Sequence, residues 1–302
     1  MNKVILTPRD MGLLQFLWRW KVLSTAALTE RFFEGRSPIT AYTRLWHLKK
    51  AGFIQVIGDR EGRRCVWMVA QKGFQLIQNT FPELFESGFK TENVEHDTLV
   101  TAFHLGEWLR TIPNGADYFT EQELRRFHLD HFPSWVPKTK DHRPDGYSRI
   151  QRLDKKITYA IEVEINQKRD RFYQELAHFY DRNESIDRVL WCVSTEAFAR
   201  KISNLIQSEV SGRHLIHNFI TRKDFETLGW SSPILIGAEG GKSLNYLFDP
   251  SAQTSPKPVW TRFLLDTRKC PHRSKTYPKT HLPILSDRGV GTAISKEVLI
   301  ER

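Results

Sequence analysis

Apolar and polar residues alternate with a period of two between residues 157 and 165. The alternation predicts a β-strand with one apolar face, and the other face carries Glu162 and Glu164 side by side. Two carboxylates this close repel each other unless a positive group lies beside them. Asp145, which follows a proline upstream, adds a third carboxylate, and such hard oxygen ligands suit Mg²⁺ or Mn²⁺. The pattern fits a metal site about as well as an exposed strand face whose glutamates meet solvent or Lys and Arg neighbours.

The residues around this strand predict an enzyme-like sheet. An amphipathic helix is expected over residues 168–182, a buried strand over 188–193, a second helix over 196–210 and a last strand over 215–220. Upstream, a helix is expected over residues 95–109 and a short strand before Glu121. Alternating strands and helices predict a central mixed sheet with the carboxylate pair at its edge.

Residues 1–78 follow a different pattern. Apolar residues at helical spacing predict three helices, which begin at the capping residues Thr7, Ser24 and Ser37, and Gly52 ends the third. Two strands follow over residues 53–57 and 65–69, separated by a basic turn that contains Gly58 and Gly62. Three helices and a hairpin are the order of the winged helix, a helix-turn-helix variant whose third helix enters the major groove of DNA.

Short motifs in this part resemble the winged-helix family, namely LWHLKKAGF at 45–53 and QKG at 71–73. The outward face of the third helix and the turn of the hairpin supply candidate contacts to base edges and phosphates. These candidates are Thr40, Thr43, Arg44, His47, Lys50, Arg60, Arg63 and Arg64. The alternative is a winged helix that serves only protein contacts or dimerisation, but a basic rather than apolar face favours DNA.

Charge is distributed unevenly along the chain, whose formal net charge is +10. Residues 1–75 hold 13 Lys and Arg against 5 Asp and Glu, and residues 251–302 hold 10 against 4. Residues 76–250 hold 22 against 26. Two basic ends favour a phosphate-backbone partner, because Lys and Arg that contact phosphates release condensed counterions. The proline-punctuated segment after residue 230 is expected to be an extended basic tail.

The rest of the composition excludes several classes of protein. An apolar fraction of 40%, with 9 Trp and 19 Phe, argues against a largely disordered chain. Three distant cysteines, Cys65, Cys192 and Cys270, have neither metal-site spacing nor that of a disulfide framework, which indicates a reducing cytoplasm. No segment resembles a signal peptide or reaches membrane-spanning length, so we expect a soluble cytoplasmic protein.

The acidic motifs carry a second resemblance. The PD at 144–145 and the EVE at 162–164 resemble the two halves of the PD-(D/E)XK nuclease motif, with Glu164 where that superfamily usually has Lys. Lys168, at the start of the next helix, is then expected to supply the missing cation. More narrowly, EHDTLVT at 95–101, Glu121, RPDG at 143–146 and EVE at 162–164 resemble, in that order, the replication-relaxation family, which includes MobC-type relaxases. The resemblance covers roughly the first two-thirds of the chain.

This resemblance implies a metal-dependent endonuclease that nicks one DNA strand at a transfer or replication origin. Its catalytic group would consist of Asp145, Glu162, Glu164, Lys168, His96 and Glu121. Within that group, Asp145, Glu162 and Glu121 would bind Mg²⁺ or Mn²⁺. A metal-bound water would be the attacking group, with Tyr173 and Tyr180 as alternative nucleophiles.

The expected fold class is α+β, with an N-terminal winged helix-turn-helix, a PD-(D/E)XK restriction-endonuclease-like α/β domain and an extended basic C-terminal tail. The expected domains are residues 1–78, a linker over 79–93, the nuclease-like domain over 94–230 and the tail over 231–302. The expected partners are double-stranded DNA, mobilisation or conjugation proteins and a second copy of the chain in a homodimer. The alternative function is a DNA-binding accessory or regulatory protein on a nuclease fold that no longer cleaves.

Overall fold

A computed structural model describes residues 4–58, 65–152, 155–210, 212–248 and 264–265 of the chain. These residues form an α+β structure that contains one three-stranded and one five-stranded β-sheet. The predicted α+β class is therefore confirmed, including its central mixed sheet.

The N-terminal part consists of helices followed by a small antiparallel sheet. Its elements are α1 (Pro8–Trp20), β1 (Leu23–Ser24), α2 (Thr25–Phe32), α3 (Pro38–Lys50), β2 (Ile54–Gly58), β3 (Cys65–Val69) and α4 (Gln71–Ile77). The strands pair in the order β1-β3-β2. The three predicted caps are confirmed, because the hydroxyl oxygens of Thr7, Ser24 and Ser37 accept backbone N–H groups of the first helical turns. The predicted turn at residues 59–64 lies outside the described residues.

The larger part is built around the five-stranded sheet, in the order β4-β5-β6-β7-β8. Its elements are α5 (Val94–Leu105), β4 (Ala116–Thr120), α6 (Glu121–Arg126), β5 (Gly146–Arg152), β6 (Lys155–Glu164), α7 (Asp170–Arg182), β7 (Arg188–Val193), α8 (Glu196–Glu209), β8 (His217–Thr221), α9 (Arg222–Leu228) and α10 (Leu244–Phe248). Strand β5 is antiparallel to both β4 and β6, whereas β6, β7 and β8 run parallel to one another. The strand predicted from the period of two is β6. It is the middle strand of this sheet, so the carboxylate pair lies at the end of a central strand and not on an edge strand, as had been expected.

Helices cover both faces of the sheet at β6. On the face of Tyr159, the tyrosine hydroxyl donates a hydrogen bond of 3.0 Å to the carbonyl of Leu247 in α10. On the opposite face, Tyr180 of α7 donates a hydrogen bond to the side chain of Glu162. Because both faces are covered, every residue of β6 from Ile157 to Glu164 is buried.

Aromatic contacts connect the N-terminal helices to the larger part. The indole of Trp18 in α1 stacks on Phe81, with ring centroids 4.1 Å apart, and on Phe127 after α6, at 5.8 Å. The segment between α4 and α5, predicted to be a linker, thus contributes Phe81 to this packing. The predicted domain boundaries remain a prediction.

The predicted tail needs one correction. Residues 232–248 pack against the larger part instead of extending away from it: Ile234, Leu244 and Phe248 are buried, and Phe248 lies against Trp230 with ring centroids 4.3 Å apart. The rest of the predicted tail lies outside the described residues, apart from 264–265. Within the described ranges, no helix combines the length and the apolar character needed to cross a membrane.

Candidate active site

The two glutamates of β6 are buried, each with a relative exposure of 4%. The interpretation of an exposed strand face whose glutamates meet solvent is therefore wrong. A period of two shows which residues share a face of a strand, but only the packing of α7 decides whether that face reaches water. Burial of a carboxylate in a protein interior is costly unless hydrogen bonds or opposite charges compensate it. The hydrogen-bond donors and opposite charges around each carboxylate therefore define the site.

Glu162 is held by two hydrogen-bond donors. Nε2 of His142 lies 2.6 Å from its Oε1, and the hydroxyl of Tyr180 donates to the same oxygen. Burial, followed by the neighbouring Glu162 carboxylate, raises the pKa of Tyr180 well above its ordinary value, so this hydroxyl keeps its proton and acts as a donor. Tyr173, the other candidate nucleophile, is also buried, and its hydroxyl oxygen accepts the backbone N–H of Lys168 at 3.0 Å.

Glu164 pairs with Lys168, as the sequence led us to expect. Its Oε1 lies 2.6 Å from Nζ of Lys168. Burial raises the pKa of Glu164 to about 7; the Lys168 ammonium opposes this rise, and the carboxylates of Glu162 and Asp145 add to it. The Glu164 carboxyl therefore exchanges its proton close to neutral pH.

The raised pKa predicts a pH-dependent effect of Glu164→Gln on stability. Between pH 4.5 and 7 the Glu164 carboxyl is mostly protonated in the native state and mostly ionised in the unfolded chain. The tighter proton binding stabilises the native state at low pH, and this contribution is lost as the pH rises through about 7. From pH 5 to pH 8, the free energy of unfolding of the wild type should fall relative to that of Glu164→Gln by on the order of 2 kcal/mol. Urea denaturation across this pH range measures the difference, and a difference independent of pH would contradict the prediction.

Asp145 is fixed beside the end of β6. Its backbone N–H donates to the carbonyl of Ile161 at 2.9 Å, and its Oδ2 accepts the N–H of Val163 at 2.7 Å. Its Oδ1 lies 3.3 Å from Nε2 of His96 in α5. Asp145, Glu162 and Glu164 therefore lie together where β5 begins and β6 ends, and we call these three residues the acidic cluster.

Gly146 allows this placement of Asp145. Its φ of +140° is a conformation essentially restricted to glycine, and an added Cβ would lie 2.7 Å from Nε2 of the buried His104. We expect Gly146→Ala to lower the free energy of unfolding by about 3 kcal/mol, from backbone strain and overpacking combined. Gly212→Ala, at a position where an added Cβ would meet open space, is the matched control for urea denaturation. Equal stabilities of the two variants would contradict this reason for the glycine.

His96 connects Asp145 to a chain of buried charges. Its Nδ1 lies 3.6 Å from Oδ1 of Asp97, and Nζ of Lys21 lies 3.0 Å from the same oxygen. Burial opposes the charge on His96, but the Asp145 and Asp97 carboxylates prevail and raise its pKa to about 10. Lys21 also pairs with Glu121. The order of the chain is thus Glu121, Lys21, Asp97, His96 and Asp145.

Sequence reasoning missed two residues of this site, Lys21 and His142, the second of which bonds to Glu162. Lys21 follows the last residue of α1 with a φ of +61°, and its side chain is only 12% exposed. Burial works against its charge, but Asp97 and Glu121 outweigh this effect and raise its pKa. The local sequence gives no signal for this role, because both partners are distant in the chain. Glu121 and Asp145 line one small cavity, as expected, but Glu121 is engaged by Lys21.

Carboxylate oxygens of the acidic cluster have the chemistry that Mg²⁺ and Mn²⁺ prefer. Among the residues that the structure describes, no group of three or more His, Cys, Asp or Glu side chains is arranged to hold a metal ion. Each member of the acidic cluster is instead turned towards a partner within the protein. The predicted metal ligation stays a prediction.

The candidate DNA contacts fall into three groups. Thr40, Thr43, His47 and Lys50 are exposed and follow one another at helical spacing along α3. Arg44 is turned inwards, with its Nε 3.0 Å and its Nη2 2.5 Å from the carboxylate oxygens of the fully buried Asp10. Arg60, Arg63 and Arg64 lie outside the described residues.

No protein-family model, no curated protein and no solved structure matches the chain. The resemblances to the PD-(D/E)XK, replication-relaxation and winged-helix families therefore stay predictions, as do the expected homodimer and the mobilisation partners.

Proposed function

We propose that the chain binds DNA and hydrolyses one of its phosphodiester bonds at the acidic cluster. The observation that carries the proposal is that Asp145, Glu162 and Glu164 gather at the adjacent ends of two strands, next to the ammonium group of Lys168. Phosphodiester hydrolysis needs carboxylates that bind a cation, a base that activates water and a positive group near the phosphate. The acidic cluster and Lys168 supply these residue types.

The proposed cofactor is Mg²⁺ or Mn²⁺, for which carboxylate oxygens are the preferred protein ligands. At phosphoryl-transfer sites Mg²⁺ is commonly held by one or two carboxylates together with substrate phosphates, so a cage of three protein ligands is not required. Asp145 and Glu162 are the residues that would hold the ion. When bound, the ion would polarise the phosphate and lower the pKa of the attacking water. Glu121, being paired with Lys21, would act on the site through Lys21.

Glu164 is the proposed proton acceptor. A carboxyl with a pKa of about 7 is half deprotonated at neutral pH, which is the condition under which a general base works best. The Lys168 side chain is half exposed, so its ammonium can contact a phosphate while it remains beside Glu164. His96 is the proposed positioning residue for Asp145, because its imidazolium faces that carboxylate.

The proposed DNA-binding element is a winged helix formed by the N-terminal part. Support comes from the order of its elements, three helices followed by the antiparallel strands β2 and β3, and from the polar, exposed face of α3. His47 and Lys50 on that face can donate hydrogen bonds to phosphates or base edges, and the Thr43 hydroxyl, which donates to the carbonyl of Ile39, can accept one from a base. The resemblance to the replication-relaxation family supports an origin of transfer or replication as the DNA.

A second candidate function is DNA binding without cleavage. The three carboxylates already have partners within the protein: His96 for Asp145, His142 for Glu162 and Lys168 for Glu164. A nuclease fold that has lost activity and serves as an accessory factor would also have a neutralised cluster of this kind. Cleavage of plasmid DNA distinguishes the two functions.

DNA binding through α3 is tested with the double variant Thr43→Ala, Lys50→Gln. We expect it to bind a fluorescein-labelled DNA duplex about tenfold more weakly than the wild type at low salt, with a smaller salt dependence, because a phosphate contact is lost. Fluorescence anisotropy measures both quantities. Lys223→Gln, at an exposed position on α9, is the matched control. If the double variant bound as tightly as this control, α3 would not be the DNA-binding helix.

A further inference from the structure

A cleft of about 380 Å³ lies next to the acidic cluster and is not used by the proposed reaction. Its walls come from three segments: residues 85–86, residues 124–132, and the loop of residues 137–143 with Tyr147 of β5. This volume lies within the range of pockets that hold small ligands. The cleft is therefore large enough for one nucleotide unit.

The cleft and the acidic cluster share a wall. His142 lines the cleft, and its Nε2 bonds to Oε1 of Glu162 at 2.6 Å. Tyr147 also lines the cleft, and burial, together with the nearby Glu162 carboxylate, raises the pKa of its hydroxyl. Arg143, two residues before Asp145, lines the cleft as well. A molecule in the cleft would thus lie beside the groups proposed to act on the phosphodiester.

An exposed aromatic ring lines this cleft. Phe85 is 60% exposed, although most phenylalanines of the described chain belong to the core. The ring of His128 meets it edge-on, with centroids 5.4 Å apart, and Nζ of Lys140 lies 5.0 Å from its centroid. Exposed aromatic rings flanked by cations are the usual platforms on which unpaired bases stack.

Positive groups outnumber negative ones around the cleft. Lys140 and Arg143 are exposed, and Arg125 lies on a wall with its guanidinium 2.6 Å from Glu92. Glu86 and Asp130 are the acidic residues of the lining. The positive groups can bind a phosphate, and a base can stack on the ring of Phe85. Aromatic and cationic groups together match the two chemical parts of a nucleotide.

We propose that this cleft binds a single unpaired nucleotide of the DNA strand that the acidic cluster cuts, with its base on Phe85 and its phosphate near Lys140 and Arg143. The inference rests on the proposed function and specifies the substrate further, as DNA that is locally unpaired at the site of cleavage. Single-stranded nucleic acid is commonly bound by this combination of stacking and charge.

The test compares two DNA probes in the presence of EDTA, so that no cleavage is required. One is a fully paired duplex, and the other is the same duplex with one bulged 2-aminopurine, a base whose fluorescence falls when it stacks. We expect the wild type to bind the bulged probe about tenfold more tightly and to quench its fluorescence, because stacking of one base on an aromatic ring strengthens binding by roughly this factor. Phe85→Ala should remove the preference and the quenching while duplex binding is retained.

Two further variants complete the design. Lys140→Gln should weaken binding of the bulged probe about threefold, because one phosphate contact is lost, and it tests the cleft even if Phe85→Ala fails to fold. Leu215→Ala, which removes another exposed apolar side chain, should leave the preference intact. Equal binding of both probes by the wild type, or a preference that survives Phe85→Ala and Lys140→Gln, would overturn the inference and leave the proposed function standing. Failure to bind either probe would contradict the proposed function itself.

Discussion

Replacement of Asp145 by asparagine is expected to slow the nicking of supercoiled plasmid by about a thousandfold or more. Removal of one ligand charge costs the transition state several kcal/mol of electrostatic stabilisation, and each 1.4 kcal/mol corresponds to about tenfold in rate. Asparagine is close to aspartate in size, and its amide oxygen can still accept the N–H of Val163, so the variant should fold. The rate is measured from the conversion of supercoiled to relaxed circles with Mn²⁺.

The Asp145→Asn variant is expected to lose cleavage and to retain DNA binding. Asp145→Asn should bind the labelled duplex as tightly as the wild type, because the proposed DNA contacts lie on α3. Asp117→Asn, at an exposed position on β4, is the matched control and should nick at the wild-type rate. Nicking by Asp145→Asn at the rate of this control would mean that another group catalyses the reaction.

The largest effect on stability is expected for Lys21→Met. Loss of the Lys21 ammonium leaves the carboxylate of Asp97, which is only 5% exposed, without one of its two cationic partners. It also removes the ion pair between Lys21 and Glu121. Breaking a buried ion pair by removing one partner typically costs about 3–5 kcal/mol, because the remaining charge is uncompensated. We expect a decrease of this size in the free energy of unfolding, measured by urea denaturation.

Two control variants test whether the loss of stability comes from the buried charge of Lys21. Lys223→Met removes a lysine from an exposed position on α9 and should change stability by less than about 0.5 kcal/mol. The double variant Lys21→Met, Glu121→Gln should be more stable than Lys21→Met alone, because one uncompensated carboxylate has been removed. A Lys21→Met protein as stable as the Lys223→Met protein would show that the buried charge chain does not support the site.

Most of the secondary structure could be predicted from local patterns. The period of two identified β6, and the hydroxyl caps located the beginnings of α1, α2 and α3, because both signals depend on residues close together in sequence. The helix expected over residues 95–109 was too long, since α5 ends at Leu105. Gly106 follows with a positive φ, and the indole of Trp230 packs where its Cβ would be. Gly106 is itself a local signal for the end of a helix, whereas its contact with Trp230 involves a residue too distant in the chain to be predicted from the local pattern.

The candidate site was predictable only in part, for the same reason. Motif order brought Asp145, Glu162, Glu164 and Lys168 into one hypothesis, and the structure brings these residues together. Sequence spacing could not reveal that α7 covers the two glutamates, or that Lys21 reaches Asp97 across the interior. Arg44 is a similar case, because its pairing with Asp10 depends on how α1 and α3 pack.

The most direct test of the proposed activity is a plasmid nicking time course with the wild-type protein. The supercoiled substrate should carry an origin of transfer or replication, and parallel reactions should contain Mg²⁺, Mn²⁺ or EDTA. We expect relaxed circles to accumulate with either metal and none with EDTA, which would establish a metal-dependent nickase. Supercoiled plasmid that stays intact in every reaction, while a shifted band shows that the protein is bound, would contradict cleavage at the acidic cluster and leave DNA binding as the function.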